Sequence, residues 1–581
     1  MAQAGLHDTR CRVRHTLALW PVLWAVVLAS PTGAPAQEMD HGHHDAATGI
    51  PIMPSAAMIM HMIRNPMLPG LKKARPSVSD FLPGSDLDPA ALPMAGPRTI
   101  VDLASGDTLN LEAGLVRKMV NGETFVMYAF NQQIPGPLIR VERGAEVHVR
   151  FTNRIDMETT VHWHGLRLDN RFDGVPGLTQ DPVLPGETFD YTIRFPDAGI
   201  YWYHPHVRED IQQDLGLYGN MLVRPDRSPY EDPVHREEVI TLDDILIEGD
   251  QLVPFGLEAS NFTIMGRFGN VLLVNGETRY DLEANSGEVV RFYLTNVSNT
   301  RTWNVSFGGA PMKLVGADIG RFEKEMFVRS VAVAPAQRYV VEVLFEKPGE
   351  YPIVNRITAL NHMQGKFFSA TDTLGSVRVE ETAASPDWTE SFGELRVDEE
   401  VRREVEPYRK YTEAPVDREL QLTVDISELP VQVMQFIAID TTYRSPVEFT
   451  DVMSHMNWLS TSNEVRWILR DVETGAENMD IDWRFDVGDV VKIRLRNDPE
   501  AFHPMNHPVH LHGQRFLVLS RDGVPNENLA WKDTALLPVG STVDILLEVT
   551  NPGRWMLHCH IAEHLEAGMM MAFAVEQGED K

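Results

Sequence analysis

Three ten-residue stretches share one alternation of apolar and polar positions: GAEVHVRFTN at 144–153, GEVVRFYLTN at 287–296 and GDVVKIRLRN at 488–497. Each opens on glycine, carries an acid near its start and closes on asparagine. A period of two after a turn residue predicts a β-strand with one buried face. Two further patterns recur in step. Leu184-Pro185-Gly186 precedes the Phe189/Tyr191 alternation, Ala334-Pro335 precedes Tyr339-Val340-Val341, and Leu537-Pro538-Val539-Gly540 precedes Val543-Asp544-Ile545-Leu546. The third series is GIYWYH at 199–204, GEYPIV at 349–354 and GRWMLH at 553–558. Its first and last copies place a histidine five residues after the glycine; the middle copy has Val354 there.

These repeats predict an all-β chain of three homologous β-sandwich domains in tandem, at 98–227, 236–382 and 415–578. Short strands punctuated by Gly and Pro at this spacing suit Greek-key sandwiches. Residues 383–414 are charged and poorly patterned, and read as a linker, part helical. Residues 37–97 read as a Pro-rich arm rich in Met and His, with Met39, His41, His43, His44, Met58, Met60, His61 and Met62 among them.

The first 36 residues form a different pattern. Arg10, Arg12 and Arg14 precede the apolar stretch 16–29, and Ala34-Pro35-Ala36 is a small-residue cleavage site. This is a secretory signal peptide pattern, too short to span a bilayer, so 1–36 is expected to be removed and the mature protein to be periplasmic or secreted, without stable membrane insertion. The net charge of −31 argues against binding to nucleic acids or anionic membranes, both of which require basic patches. Of the two cysteines, Cys11 leaves with the signal peptide. Cys559 is then alone, and a lone thiol in an oxidising compartment needs burial or a metal.

Histidine spacing supplies the chemistry. Random placement of 21 histidines predicts roughly 0.7 His-x-His pairs. The chain has five: His41/His43, His162/His164, His204/His206, His510/His512 and His558/His560. The last four lie in apolar strand sequence, where residues two apart share a face, so each pair presents two imidazoles side by side. In the run HCHIAEHLEAGM at 558–569, alternation puts Cys559 opposite His558 and His560. Cys559, His564 and Met569, with one more histidine, make the two-imidazole, thiolate and weak thioether set of a blue-copper site. His507, in HPVHLH at 507–512, is the natural completion. The remaining eight histidines suit a cluster of three copper ions open to dioxygen.

Taken together, the motifs HWHG at 162–165, HPH at 204–206, HPVHLHG at 507–513 and the 558–569 run resemble the multicopper oxidases. The resemblance spans the chain from about residue 98 and implies three cupredoxin-like domains, the middle one without copper. It implies four copper ions: type 1 at His507, Cys559 and His564 with Met569 axial; type 2 at His162 and His510; a type 3 pair at His164, His204, His206, His512, His558 and His560. It implies that electrons from a reducing substrate cross Cys559 to His558 or His560, and that dioxygen is reduced to water. Asp173, in FDGVP at 172–176, matches the family's acid near the trinuclear cluster and is expected to relay protons. The acid that many bacterial relatives carry directly after the type 1 histidine is replaced by Leu565, which leaves the second proton donor open. The expected substrates are phenols or aromatic amines, as for laccases. The alternatives are Cu(I), Fe(II) or Mn(II) oxidation in copper resistance, which the negative charge and the Met/His arm favour, and a non-catalytic periplasmic copper-binding protein.

Overall fold

The computed structural model describes residues 81–225, 233–256, 259–361, 364–429, 443, 445–450 and 462–578. The signal segment and residues 37–80 of the arm lie outside these.

The fold is all-β and cupredoxin-like, built from pairs of sheets. One pair, of four and five strands, draws on residues between Ile100 and Arg224; a second, of six and six, runs from Arg236 to Ala383 with an added strand at Val447–Phe449; a third, of seven and five, runs from Arg418 to Glu576. The repeat is visible in the pairing. The strands Glu146–Arg154, Glu288–Asn296 and Val490–Asn497 each pair parallel with one neighbour and antiparallel with another, and in each sheet pair the antiparallel neighbour follows in the chain.

The closing asparagines of the three strands do one job. Asn153 Nδ2 donates to the carbonyls of Met157 and Val183, Asn296 Nδ2 to those of Arg301 and Val333, and Asn497 Nδ2 to those of Met505 and Leu537, at 2.7–3.1 Å. All three side chains are buried. Each ties the strand end to the loop that follows and to the segment before the next antiparallel strand. Buried backbone carbonyls need such partners.

Residues 383–414 are more ordered than a linker. They hold short helices at Thr389–Gly393 and Glu399–Val405 and a 3-10 turn at Glu406–Tyr411. Asp398 caps the second helix, accepting from the backbone of Glu400 and Val401, and pairs with Arg321 at 2.7 Å. Charges that looked like a solvated run on the sequence are anchors: Arg409 pairs with Glu323, and Glu404 with Arg515. The end of the arm also packs, through a bridge from Phe81 to Phe255 and one from Met94 to Arg117. No helix among the described residues is long and apolar enough to cross a membrane.

Candidate metal centres

Four strands carry the histidine pairs. His162–His164 pairs antiparallel with Gly199–His204, setting His162 opposite His204. His507–Leu511 pairs antiparallel with Gly553–Cys559, setting His510 opposite His558 and Val509 opposite Cys559. The two antiparallel pairs meet across the boundary between the first and third sheet pairs. His164 stacks on His510 at 3.6 Å between ring centroids, and His162 lies 4.1 Å from His512. His206 lies 5.3 Å from His558, and His204 lies 5.2 Å from His560. All eight imidazoles are buried together.

Two glycines follow from this closeness. Gly165, at φ +86°, lies so near Asp533 and Arg338 that a Cβ would overlap their side chains. Gly174, at φ +83°, would put a Cβ into the carbonyl of Val161, next to His162. Both positions need the left-handed backbone and the bare α-carbon that glycine supplies.

Nδ1 of His162 faces the Asp173 carbonyl at 2.7 Å, that of His204 the Pro205 carbonyl at 2.8 Å, that of His510 the Asp533 carbonyl at 2.9 Å, and that of His558 the Cys559 carbonyl at 2.9 Å. His512 Nδ1 donates to Asp173 Oδ2 at 2.9 Å. His164 is the reverse: its Nε2 meets Asp533 Oδ1 at 3.1 Å. The other nitrogens, Nε2 of His162, His204, His206 and His510 and Nδ1 of His164, are buried without a hydrogen-bond partner. His512 and His558 turn their Nε2 atoms toward each other at 3.0 Å. His560 is bare at both nitrogens. Orphaned nitrogens converging in a buried space, most of their rings held by the other nitrogen, are what metal coordination by histidine requires. Two groups of three, His162/His164/His204 and His206/His512/His558, hold their donor atoms within 4.8 Å of one another.

Burial also sets protonation. It drives His164, His204, His206, His510, His512, His560 and His564 well below the ordinary imidazole range, with neighbouring imidazoles adding to the effect. His558 falls to about 4 and His507 to about 3, for the same leading reason. Neutral imidazoles are the ligating form.

A second group lies on the other face of the same strand. Cys559 Sγ is 3.6 Å from His507 Nδ1 and 3.8 Å from His564 Nδ1. The three form a buried triad. Burial pushes the Cys559 thiol up, so a cation must displace its proton on binding. Met569 is buried in the same core, its carbonyl accepting from Cys559 N at 3.1 Å and its N–H donating to His564 O at 3.0 Å. Trp467 stacks on His564 at 4.0 Å and donates to the Thr263 carbonyl of the helix Ala259–Met265.

Several residues around the sites carried no readable signal. Arg338 holds Asp533 with two contacts of 2.6 Å, both side chains fully buried. Glu209 packs against His204 and His206. Glu563, between His560 and His564, accepts from Thr300 Oγ1 at 3.0 Å and Asn299 Nδ2 at 3.3 Å, and burial pushes its carboxyl up to about 8. Of these only Glu209 had a positional hint, three residues after the HPH motif.

A thiolate site joined through one strand to an eight-histidine cluster defines an oxidoreductase centre of the multicopper type. Multicopper oxidase profiles match residues 116–228, 238–380 and 448–579. The chain is 26% identical over 517 residues to dihydrogeodin oxidase of Aspergillus terreus, covering 77% of this chain and 79% of that one. It is 26% identical over 518 residues to multicopper oxidase MmcO of Mycobacterium tuberculosis, covering 83% and 88%. Among solved structures, a multi-copper oxidase from Pseudomonas thermotolerans superposes with a TM-score of 0.59 at 26% identity, covering 82% of this chain and all of that one. The metallo-oxidase from Campylobacter jejuni shares the fold, with a TM-score of 0.63 at 22% identity over 87% and 99% of the chains. The chain belongs to the multicopper oxidase family. It is therefore an oxidoreductase with dioxygen as acceptor, and four copper ions are its cofactor.

Proposed function

We propose that the chain oxidises phenols or aromatic amines by one electron at a type 1 copper site, in the manner of a laccase, and reduces dioxygen to water at a trinuclear site. In this reading His507, Cys559 and His564 hold the type 1 ion, with Met569 axial. His162 and His510 hold type 2; His164, His204, His206, His512, His558 and His560 hold the type 3 pair. The domains are 98–227, 236–382 and 415–578, the middle one free of copper. When bound, the copper ions supply one-electron acceptance at the first site and four-electron reduction of dioxygen at the second.

One observation carries the reading. Cys559 turns its sulfur to His507 and His564, while its chain neighbours His558 and His560 enter the eight-histidine cluster. A covalent path of one residue thus joins the sites. Asp173 supports proton delivery: Oδ2 accepts from His512, and Oδ1, buried and without a hydrogen bond, is the atom that would hold a proton. The signal segment supports a periplasmic or secreted location.

A second reading, oxidation of Cu(I), Fe(II) or Mn(II), has one structural observation in its favour. His507 and His564 are 1% and 0% exposed, so a bulky phenol cannot touch either ring edge directly. The net charge of −31 also attracts cations.

Cys559→Ser in the copper-loaded full chain tests the electron path. The blue absorption and dioxygen uptake should vanish while the coppers of the histidine cluster stay bound; persistent uptake would remove Cys559 from the path. Uptake on adding a phenol, compared with uptake on adding Cu(I), selects the substrate class. No uptake with either would leave a non-catalytic copper-binding protein.

A further inference from the structure

Six of the eight clustered histidines divide into two kinds of support, and His560 is bare at both ring nitrogens. His162, His204, His510 and His558 lean on backbone carbonyls, His512 on Asp173 and His164 on Asp533. His206 has neither a carbonyl nor an aspartate. Its Nδ1 faces Glu209 Oε1 at 3.3 Å, and its Nε2 is buried and bare.

Glu209 is an odd residue for its place. It is 1% exposed, and neither carboxyl oxygen has a hydrogen bond. Its Oε2 lies 3.9 Å from His204 Nδ1, which is already committed to the Pro205 carbonyl. A buried carboxyl without partners costs stability unless some function retains it. The chain spends local structure on putting it there. Arg208 takes a left-handed turn at φ 43°, and the short helix Glu209–Gln212 starts at once, folding Glu209 back under His206. Arg208 is fixed in turn by Asp210, at 2.7 and 2.9 Å.

We propose that Glu209 is the positioning residue for His206: its Oε1, 3.3 Å from Nδ1, is the acceptor for the Nδ1–H when copper is bound, fixing the tautomer and ring angle that leave Nε2 for the metal. This rests on the assignment of His206 as a copper ligand made above. The carboxyl does not touch the metal. It acts as the acceptor of a carboxylate–histidine–metal relay, in which the outer partner selects which nitrogen is bare.

The role makes two readouts move in opposite directions. Replacing Glu209 by leucine removes a buried, unpaired carboxyl, so the metal-free chain should melt at a higher temperature. The same change frees the His206 ring, so copper should be held about 10–100-fold less tightly at the histidine cluster. A merely structural glutamate would lower both. Glu209→Gln keeps an acceptor oxygen at the same reach and should retain wild-type copper affinity.

The experiment uses the full chain loaded with Cu(II). Copper per chain is followed during competition with a chelator, together with the electron paramagnetic resonance signal and the blue absorption of the Cys559 site. The expected result is early loss of copper or a new paramagnetic signal from Glu209→Leu at unchanged blue absorption, with Glu209→Gln like wild type. Wild-type copper retention with a wild-type paramagnetic spectrum from Glu209→Leu overturns the proposal. So does a metal-free Glu209→Leu that melts lower than wild type, or a Glu209→Gln that loses copper as Glu209→Leu does. If wild type itself holds no blue copper, the ligand assignment fails first, which separates that failure from this one.

Discussion

Arg338 offers the sharpest test of how the three sheet pairs hold the histidine cluster. It sits on the strand Arg338–Phe345 of the second pair and reaches Asp533 of the third with both guanidinium arms at 2.6 Å. Its Nε donates to the Ile200 carbonyl of the first pair at 2.9 Å. Asp533 in turn meets His164. At roughly 4 Å between charge centres and an effective dielectric near 20, the attraction is about 4 kcal/mol. Burial opposes it on both sides: desolvation raises Asp533, with Arg338 only partly offsetting, and works against the charge of Arg338, which Asp533 and then Asp318 restore. The net worth of the pair is therefore small, but breaking it is not. Arg338→Met leaves a buried carboxylate uncompensated and should cost about 3–5 kcal/mol. A chain of several sandwiches need not unfold in one step, so the assay is the unfolding rate of the metal-free chain in guanidinium. If the pair is absent from the transition state, the rate should rise on the order of a hundred- to a thousand-fold or more. The loss should shrink as the pH falls and Asp533 takes up a proton. Adding Asp533→Leu should recover most of it, because both buried charges are then gone. A single variant within tenfold of wild type, or a double variant no better than the single, would refute the clamp.

Two further outcomes follow from the same packing logic. Asn497→Ala strips partners from the carbonyls of Met505 and Leu537 and should cost about 2–4 kcal/mol in denaturant unfolding, with His507 loosened next door; a cost below about 0.5 kcal/mol would deny the repeat asparagines their role. Metal-free stability should depend on pH through the buried histidines. His558 binds its proton at about 4 in the folded chain against 6.5 in the open. Its contribution is fully present above pH 6.5 and is lost as the pH falls toward 4, by about 3 kcal/mol in total. Denaturant midpoints at pH 7, 5 and 4 measure it, and a flat profile would contradict the burial of a neutral ring.

What could be read in advance was what repeats or what spacing constrains. Alternation with turn residues announced the strands 146–154, 288–296 and 490–497 within two residues. The His-x-His pairs were legible because strand geometry and ligand chemistry both demand that spacing. The supports of those histidines were not. Arg338 and Asp533 stand 195 residues apart, one in a strand and the other between two strands, and only the docking of two sheets makes them a pair. Glu209 depends on a left-handed turn at an arginine, which no composition rule flags. The helical character of 383–414 was legible, but not its anchoring, because Asp398, Arg409 and Glu404 find partners in other parts of the chain.

The middle repeat explains why a unit without the histidines is present at all. Val354 is buried where the flanking copies carry His204 and His558, so the fold survives the loss of the ligand position. What the middle unit supplies is support. Arg338 fixes Asp533 against His164, Gln337 donates to the Thr534 carbonyl at 3.2 Å, and Asn299 and Thr300 hold Glu563 in the short helix Ala562–Glu566 that follows His560. The segment from His560 to His564 carries ligands of both proposed sites, so its position fixes their separation. Eight imidazoles divided between two sheet pairs keep a common metal geometry only if those pairs cannot rock against each other. A third body, bonded to both at fully buried contacts, removes that freedom in a way that a single interface between them does not.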